Sequence, residues 1–177
     1  MCLSYARFTM HDTSLAASGA LDTFRSLGMG VVNAAPVAMG VLTMHGPPDW
    51  HPARGPLREA SRKAAAYCEE KGLDLGRLAF LHSMEISRSS DEGEGMTVMV
   101  STANVARNRS NLAMGTGDAP LTEAEQEAIA HIREHYFIPL EADREHMWEG
   151  EELQRYWERL GKHLLLQKLY PSFAEAQ

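Results

Sequence analysis

Three short apolar runs, separated by amphipathic stretches long enough for helices, most restrict how this chain can fold. Residues 3–8 (LSYARF), 31–35 (VVNAA) and 96–101 (MTVMVS) read as strands. The second and third are continuously apolar or β-branched, as in strands buried on both faces. Between the first two, Asp12, Thr13 or Ser14 caps a helix whose Leu21, Phe24 and Leu27 fall on one face and which ends at Gly28. Two helices follow the second strand. One covers residues 57–71, with Leu57, Ala60, Ala64 and Cys68 at helical spacing and Gly72 as its stop. The other covers residues 75–86, capped by Asp74 and packed through Leu75, Leu78, Ala79 and Leu81. A polar, glycine-bearing loop at residues 87–95 leads into the third strand, and residues 104–114 continue as a helix. This alternation implies an α/β fold with parallel strands joined by right-handed crossovers.

Composition narrows the class. The 177 residues suffice for one domain with a core and a short extension. At 44% hydrophobic and 23% charged the chain is globular rather than disordered. A net charge of −7 argues against nucleic acid as a partner, because phosphates would be repelled. No apolar run approaches the roughly 20 residues of a membrane span, and the N-terminus lacks the layout of a signal peptide. Cys2 and Cys68 form no spacing motif, so reduced thiols in a cytoplasmic protein are expected.

From residue 121 the character changes. Thr122 with Glu125 makes a capping box, followed by Ile129, Ile132 and Tyr136 on one face, and residues 148–169 form a second, highly charged helical region. The expected division is therefore an α/β part at 1–120 and a helical C-terminal extension at 121–177. A first strand beginning at residue 3, in a sheet with two exposed edges, marks the chain as the end of something larger, with association through the exposed edge expected.

After the second strand the chain breaks at Pro36 and passes through small residues to Gly40 before a loop containing Trp50 and His51. Such an exit places backbone N–H groups beside a phosphate-bearing ligand, although a plain strand-to-turn exit has the same composition. Trp50 and His51 are expected to pack this loop down over the strand ends. His131 and His135 lie one helical turn apart, but HIREH is not HExxH and lacks a third ligand, so surface histidines are expected. His45, Asp49 and His51 form another conceivable metal set in a loop of variable geometry; no metal is expected.

Four segments carry a family resemblance. AAPVAMGVL (34–42) resembles the SPLGxGLL segment of aldo-keto reductases, and STANVARNRSN (101–111) resembles the segment after their last barrel strand, which ends in an EN pair. LSYARFTMHDTSL near the start and GPPDWHPA (46–53) are similar to the L-galactose dehydrogenase and D-arabinose dehydrogenase subgroup. WEGEELQRYW (148–157) is similar to the C-terminal extension of animal-type members.

The resemblance implies a partial TIM (β/α)8 barrel, its last three βα units followed by the helical extension. It implies an NAD(P)-dependent oxidoreductase that converts the C1 hydroxyl of a small-molecule sugar to a lactone. Barrel phosphate sites form from the loops after strands seven and eight, the two loops singled out here. Ala35, Pro36, Val37, Ala38, Met39 and Gly40 would lie along the pyrophosphate of NAD or NADP. Ser101, Thr102 and Asn104 would meet the adenosine phosphate or ribose, with Arg107 at adenine or a 2′-phosphate and Asn111 at adenine. Arg7, with Phe8 beside it, stands where the family stacks an aromatic on nicotinamide, and Ser4 where many relatives carry glutamine. Ala35 replaces the family's serine before proline, and Ser110 the glutamate before the final asparagine.

The family's catalytic aspartate, tyrosine, lysine and histidine lie on its first four strands, to which no segment here corresponds. None of Tyr5, Tyr67, Tyr136, Tyr156 or Tyr170 sits in a substitute motif. No catalytic residue is therefore assigned, and the chain alone is expected to be inactive. The alternative is a non-catalytic partial-barrel interaction protein.

Overall fold

The computed structural model describes residues 1–89, 96–102 and 104–148. The chain divides into two compact units, Met1–His146 and Met147–Gln177. Of the second, Met147 and Trp148 are described, so the expected helix at 148–169 lies outside the described residues beyond Trp148.

In the first unit β1 (Cys2–Tyr5), β2 (Val31–Ala34) and β3 (Met96–Met99) form a parallel three-stranded sheet in the order β1-β2-β3. The expected α/β architecture with parallel strands is thus present. The strands are shorter than their apolar runs. Ala6 takes a left-handed φ of 56° after β1, and Ala35 one of 61° after β2, so each turns out of the ladder one residue beyond its strand. Phe8 lies outside the strand assigned to it and packs in the core with Leu15, Leu21 and Val31.

The two faces of the sheet differ. Register places Cys2, Val31 and Met96 side by side on one face, and Val31 and Met96 pack with residues from α1 (Ser14–Ala17), α2 (Ala20–Ser26) and α4 (Leu75–Ser89), including Leu15, Leu21 and Ile86. The other face carries Leu3 and Tyr5 on β1, Val32 and Ala34 on β2, and Thr97 and Met99 on β3. Leu3, Tyr5 and Met99 are about half exposed there. The reading of the second and third strands as buried on both faces therefore holds for the central β2 and not for the edge strand β3.

The helix expected to end at Gly28 is broken into α1 and α2, because Gly19 adopts φ 74° between them. Asp12 supplies the expected cap, its Oδ1 accepting from the Ser14 N–H at 2.8 Å. Leu27 is 68% exposed rather than on the packed face, lying past the last turn of α2. The long α3 (Gly55–Glu70) starts with proline in its first turn, where a missing N–H costs nothing. Its buried stripe contains Leu57, Ala60, Ala64 and Cys68 as expected, and Gly72 takes the left-handed φ that stops it. Burying Leu57 completely is worth about 1.5–3 kcal/mol. In α4 the Asp74 cap forms, with Oδ1 accepting from the Arg77 N–H at 2.7 Å, and Leu75, Leu78, Ala79 and Leu81 are all buried. This helix continues through the residues assigned to a loop at 87–89, and Ser87 is buried in it.

After β3, α5 (Val105–Thr116) starts at Asn104, whose side chain accepts from the Arg107 N–H at 3.0 Å. The helix α6 (Glu123–Ile132) opens with the expected capping box and continues into a π-helical turn, Arg133–Phe137. Ile129, Ile132 and Phe137 are buried along it.

Candidate functional site

The three strands end level with one another, because Tyr5, Ala34 and Met99 are register partners. The Ala6 N–H donates to the Ala34 carbonyl at 2.9 Å and the Ala35 N–H to the Met99 carbonyl at 3.2 Å, so the three exits stay laterally bonded. This brings the segments beginning at Arg7, Ala35 and Ser101 to one end of the sheet. In parallel α/β sheets ligands bind outside the carboxyl ends of the strands.

The exit from β2 is the most constrained. Ala35, Ala38 and Met39 have φ of 61°, 48° and 52°, and Gly40 has 105°. A left-handed residue other than glycine costs about 1–2 kcal/mol, so this turn stores strain where its surroundings hold it. Within it, the Ala38 N–H donates to Ala35 O, Gly40 to Val37 O, Val41 to Ala38 O and Leu42 to Val37 O. Pro36 and Ala38 are buried, whereas Val37, Met39 and Gly40 are partly open.

What holds the turn is the loop that follows. A Cβ on Gly40 would stand 3.2 Å from the Gly46 carbonyl oxygen and 3.2 Å from Pro48 Cδ, so the two segments touch backbone to backbone. The Arg58 guanidinium on α3 donates to the carbonyls of Pro47, Pro48, Asp49, His51 and Ala53, at 2.7–3.3 Å. Ser61, one turn on, donates to the Val41 carbonyl at 2.6 Å. His51 is 2% exposed, its Nδ1 accepting from the Ala53 N–H at 2.9 Å. Burial pushes its imidazole down to about 4. The loop packing expected of Trp50 and His51 is thus performed by His51. Trp50 is 67% exposed, because the loop turns its side chain outward while its neighbour's is inserted.

At the β1 exit, Arg7 Nη1 lies 3.2 Å from Asp12 Oδ2, and the Arg7 carbonyl accepts from the Leu15 N–H at 2.9 Å. Asn33, fully buried on β2, donates to the Phe8 carbonyl at 2.7 Å and ties this exit to its neighbour. Thr9 Oγ1 and His11 Nδ1 share a hydrogen bond at 2.7 Å, and burial drives His11 down to about 4 despite the pull of Asp12. Ser4 lies within the strand, opposite Asn33, and is buried there rather than at the exit.

At the β3 exit, Ser101 and Asn104 are exposed and Thr102 is partly so, its Oγ1 accepting from the Asn104 N–H at 3.1 Å. Arg107 is exposed in the first turn of α5, and Asn111 follows about one turn later, partly buried. The structure therefore gathers Arg7, Ala35 to Gly40, Ser101, Thr102 and Asn104 at one end and leaves Ser4 in the ladder. Reasoning from sequence missed Arg58 and Asp12 as organisers. Asp12 carried a signal as a helix cap; Arg58 reads only as one more charge on an amphipathic helix.

Over 124 residues, 70% of the chain, the sequence is 37% identical to L-galactose dehydrogenase of Arabidopsis thaliana. That relative is an aldo-keto reductase. The likeness read from the four segments is thereby borne out, and the chain spans 38% of the relative's length. No protein-family model matches the chain. Among the described residues, no group of three or more histidine, cysteine, aspartate or glutamate side chains is placed to hold a metal ion, and no helix is long and apolar enough to cross a membrane.

Proposed function

We propose that the chain supplies the cofactor-holding βα units of an NAD(P)-dependent aldo-keto reductase acting on a sugar, as the C-terminal portion of a TIM (β/α)8 barrel. The observation that carries this is the convergence of two phosphate-suited exits at one end of the sheet. The strained turn after β2 is small and backbone-rich, and the exit from β3 runs directly into a capped helix N-terminus. The fit to a dinucleotide is good in kind. The Ala38 and Gly40 amides bond carbonyls within the turn and the Ala35 amide bonds Met99 on β3, while Val37, Met39 and Gly40 are partly open beside them. Ser101, Thr102, Asn104, Arg107 and Asn111 line the adenosine side, and Arg7, steadied by Asp12, lies toward the nicotinamide side.

The cofactor, when bound, supplies the hydride chemistry; these residues bind and orient it. In the aldo-keto reductases a tyrosine on an earlier strand donates the proton to the carbonyl oxygen in reduction and takes the hydroxyl proton in oxidation, so oxidation of the sugar would draw on those strands. Calorimetric titration of the full chain with NADP, NAD and ADP-ribose tests the binding half of this. Saturable binding of at least one is expected, and heats no greater than dilution for all three would reject it.

A non-catalytic partial barrel that associates with another chain is the alternative, favoured by the half-exposed Leu3, Tyr5 and Met99 on the open face of the sheet. Light scattering separates the two. Concentration-dependent association abolished by Leu3→Lys, without nucleotide binding, would favour the alternative.

A further inference from the structure

Resting on the cofactor reading above, we propose that Phe137 is a positioning residue of the β1 exit: the π-helical turn after α6 carries its ring onto His11 and so fixes the segment that bears Arg7. Three geometric observations meet here. First, helical spacing from Ile129 and Ile132 would bring Tyr136 inward next, but the Ile138 N–H donates to the Arg133 carbonyl, five residues back. The extra residue in the turn shifts the inward position by one, so Phe137 is buried. Tyr136 is turned aside, edge-on to Tyr67 of α3 and to His131. The turn is also tied to α4, Arg133 Nη1 donating to His82 Nε2 at 3.4 Å. Second, the Phe137 ring meets the buried His11 ring edge to face, with centroids 5.9 Å apart and planes at 68°. Third, hydrogen bonds lead from His11 to Arg7. Thr9 Oγ1 lies 2.7 Å from His11 Nδ1 and accepts from the Asp12 N–H at 3.3 Å, while the Thr9 N–H donates to the Asp12 carbonyl at 2.8 Å. Asp12 Oδ2 in turn lies 3.2 Å from Arg7 Nη1.

The end of β1 makes such a brace necessary. Ala6 turns left-handed, and the residues after it leave the ladder that fixes Cys2 to Tyr5. Thr9, His11 and Asp12 are buried, so no bulk water replaces a partner that moves away. Without the Phe137 ring a space opens beside His11, the Thr9 and Asp12 bonds loosen, and the Arg7 guanidinium loses its fixed direction. A ligand on the nicotinamide side then has to order this segment as it binds.

The test uses the full chain in four forms: unmodified, Phe137→Ala, Thr9→Val and Ile129→Ala. Ile129 is buried on α6 and controls for the loss of helix packing alone. Hydrogen exchange is followed at the Leu15 amide, which bonds the Arg7 carbonyl, and at residues 37–42. NAD, which carries the nicotinamide, is titrated against ADP-ribose, which lacks it. Phe137→Ala and Thr9→Val are each expected to quicken Leu15 exchange about tenfold more than Ile129→Ala does, with residues 37–42 unchanged. Both should weaken NAD about fivefold and ADP-ribose less than about twofold. Leu15 exchange no faster than in Ile129→Ala, or equal weakening of the two nucleotides, would overturn the assignment. If Phe137→Ala loosens residues 37–42 as well, Thr9→Val decides by the same criteria. If the unmodified chain binds neither nucleotide while Leu15 exchange follows the expected order, the cofactor reading fails and the brace stands.

Discussion

Arg77 Nε lies 2.7 Å from Glu125 Oε1, joining α4 to α6 across 48 positions of sequence. The same carboxylate closes the α6 capping box, Oε2 accepting from the Thr122 N–H at 2.9 Å. Burial alone would raise the Glu125 carboxyl, but hydrogen bonds from Arg77 and Thr122 hold it below its ordinary value. One side chain thus serves both a local cap and a long-range clamp. Arg77 extends the clamp to the carbonyls of Ala119 and Pro120.

Glu125→Ala should cost about 2–4 kcal/mol, since it removes the cap and leaves the guanidinium without its anion. Glu125→Gln should cost about 1–2 kcal/mol, because an amide at the third helical position still completes the box. Urea unfolding of both variants checks the order. Equal losses would show that the charge, not the cap, dominates.

Acid should destabilise the fold between pH 6.5 and about 4. Burial lowers His11, His51 and His82 from 6.5 to about 4. In that window the unfolded chain binds protons that the native chain refuses, so stability is full above 6.5, falls with falling pH and levels off below about 4. Each histidine can contribute up to about 3 kcal/mol of that loss, which together rivals the whole stability of a small domain. Urea midpoints measured across this range should fall, and His82→Gln should make the fall shallower. A midpoint independent of pH would contradict the burial of these rings as neutral species.

The turn after β2 should respond to glycine in opposite senses at adjacent positions. Met39→Gly relieves a left-handed φ of 52° and is expected to stabilise by about 0.5–1 kcal/mol after the entropy of glycine is subtracted. Gly40→Ala keeps a φ of 105° and drives a Cβ to within 3.2 Å of the Gly46 carbonyl, so it should cost about 1–3 kcal/mol. Thermal unfolding of the pair reads both signs.

On the proposed adenosine side, Arg107→Ala should weaken 2′,5′-ADP about tenfold and leave AMP nearly unchanged, if the guanidinium meets a 2′-phosphate. Calorimetry with the two ligands checks this. Equal weakening would move the side chain onto adenine, and no change for either would remove it from the site.

What the sequence alone determined is what acts within a few residues along the chain. The buried stripes of α3 and α4, the Asp12 and Asp74 caps and the Thr122–Glu125 box all arise from partners no more than a few helical turns apart, and all are present. The order of three strands and their helices follows from the same periodicity, which leaves a parallel sheet as the arrangement that helical crossovers allow. Tertiary structure decided the rest. That β1 stops at Tyr5, that Trp50 points out while His51 is inserted, and that Arg58 gathers a loop could not be read locally, because each is settled by groups brought together only when the chain folds. A left-handed alanine such as Ala38 is unfavourable by itself. It persists because the turn's own hydrogen bonds, the Ser61 bond to the Val41 carbonyl and the loop packed against Gly40 hold the segment, and that sum of contacts exists only in the folded chain.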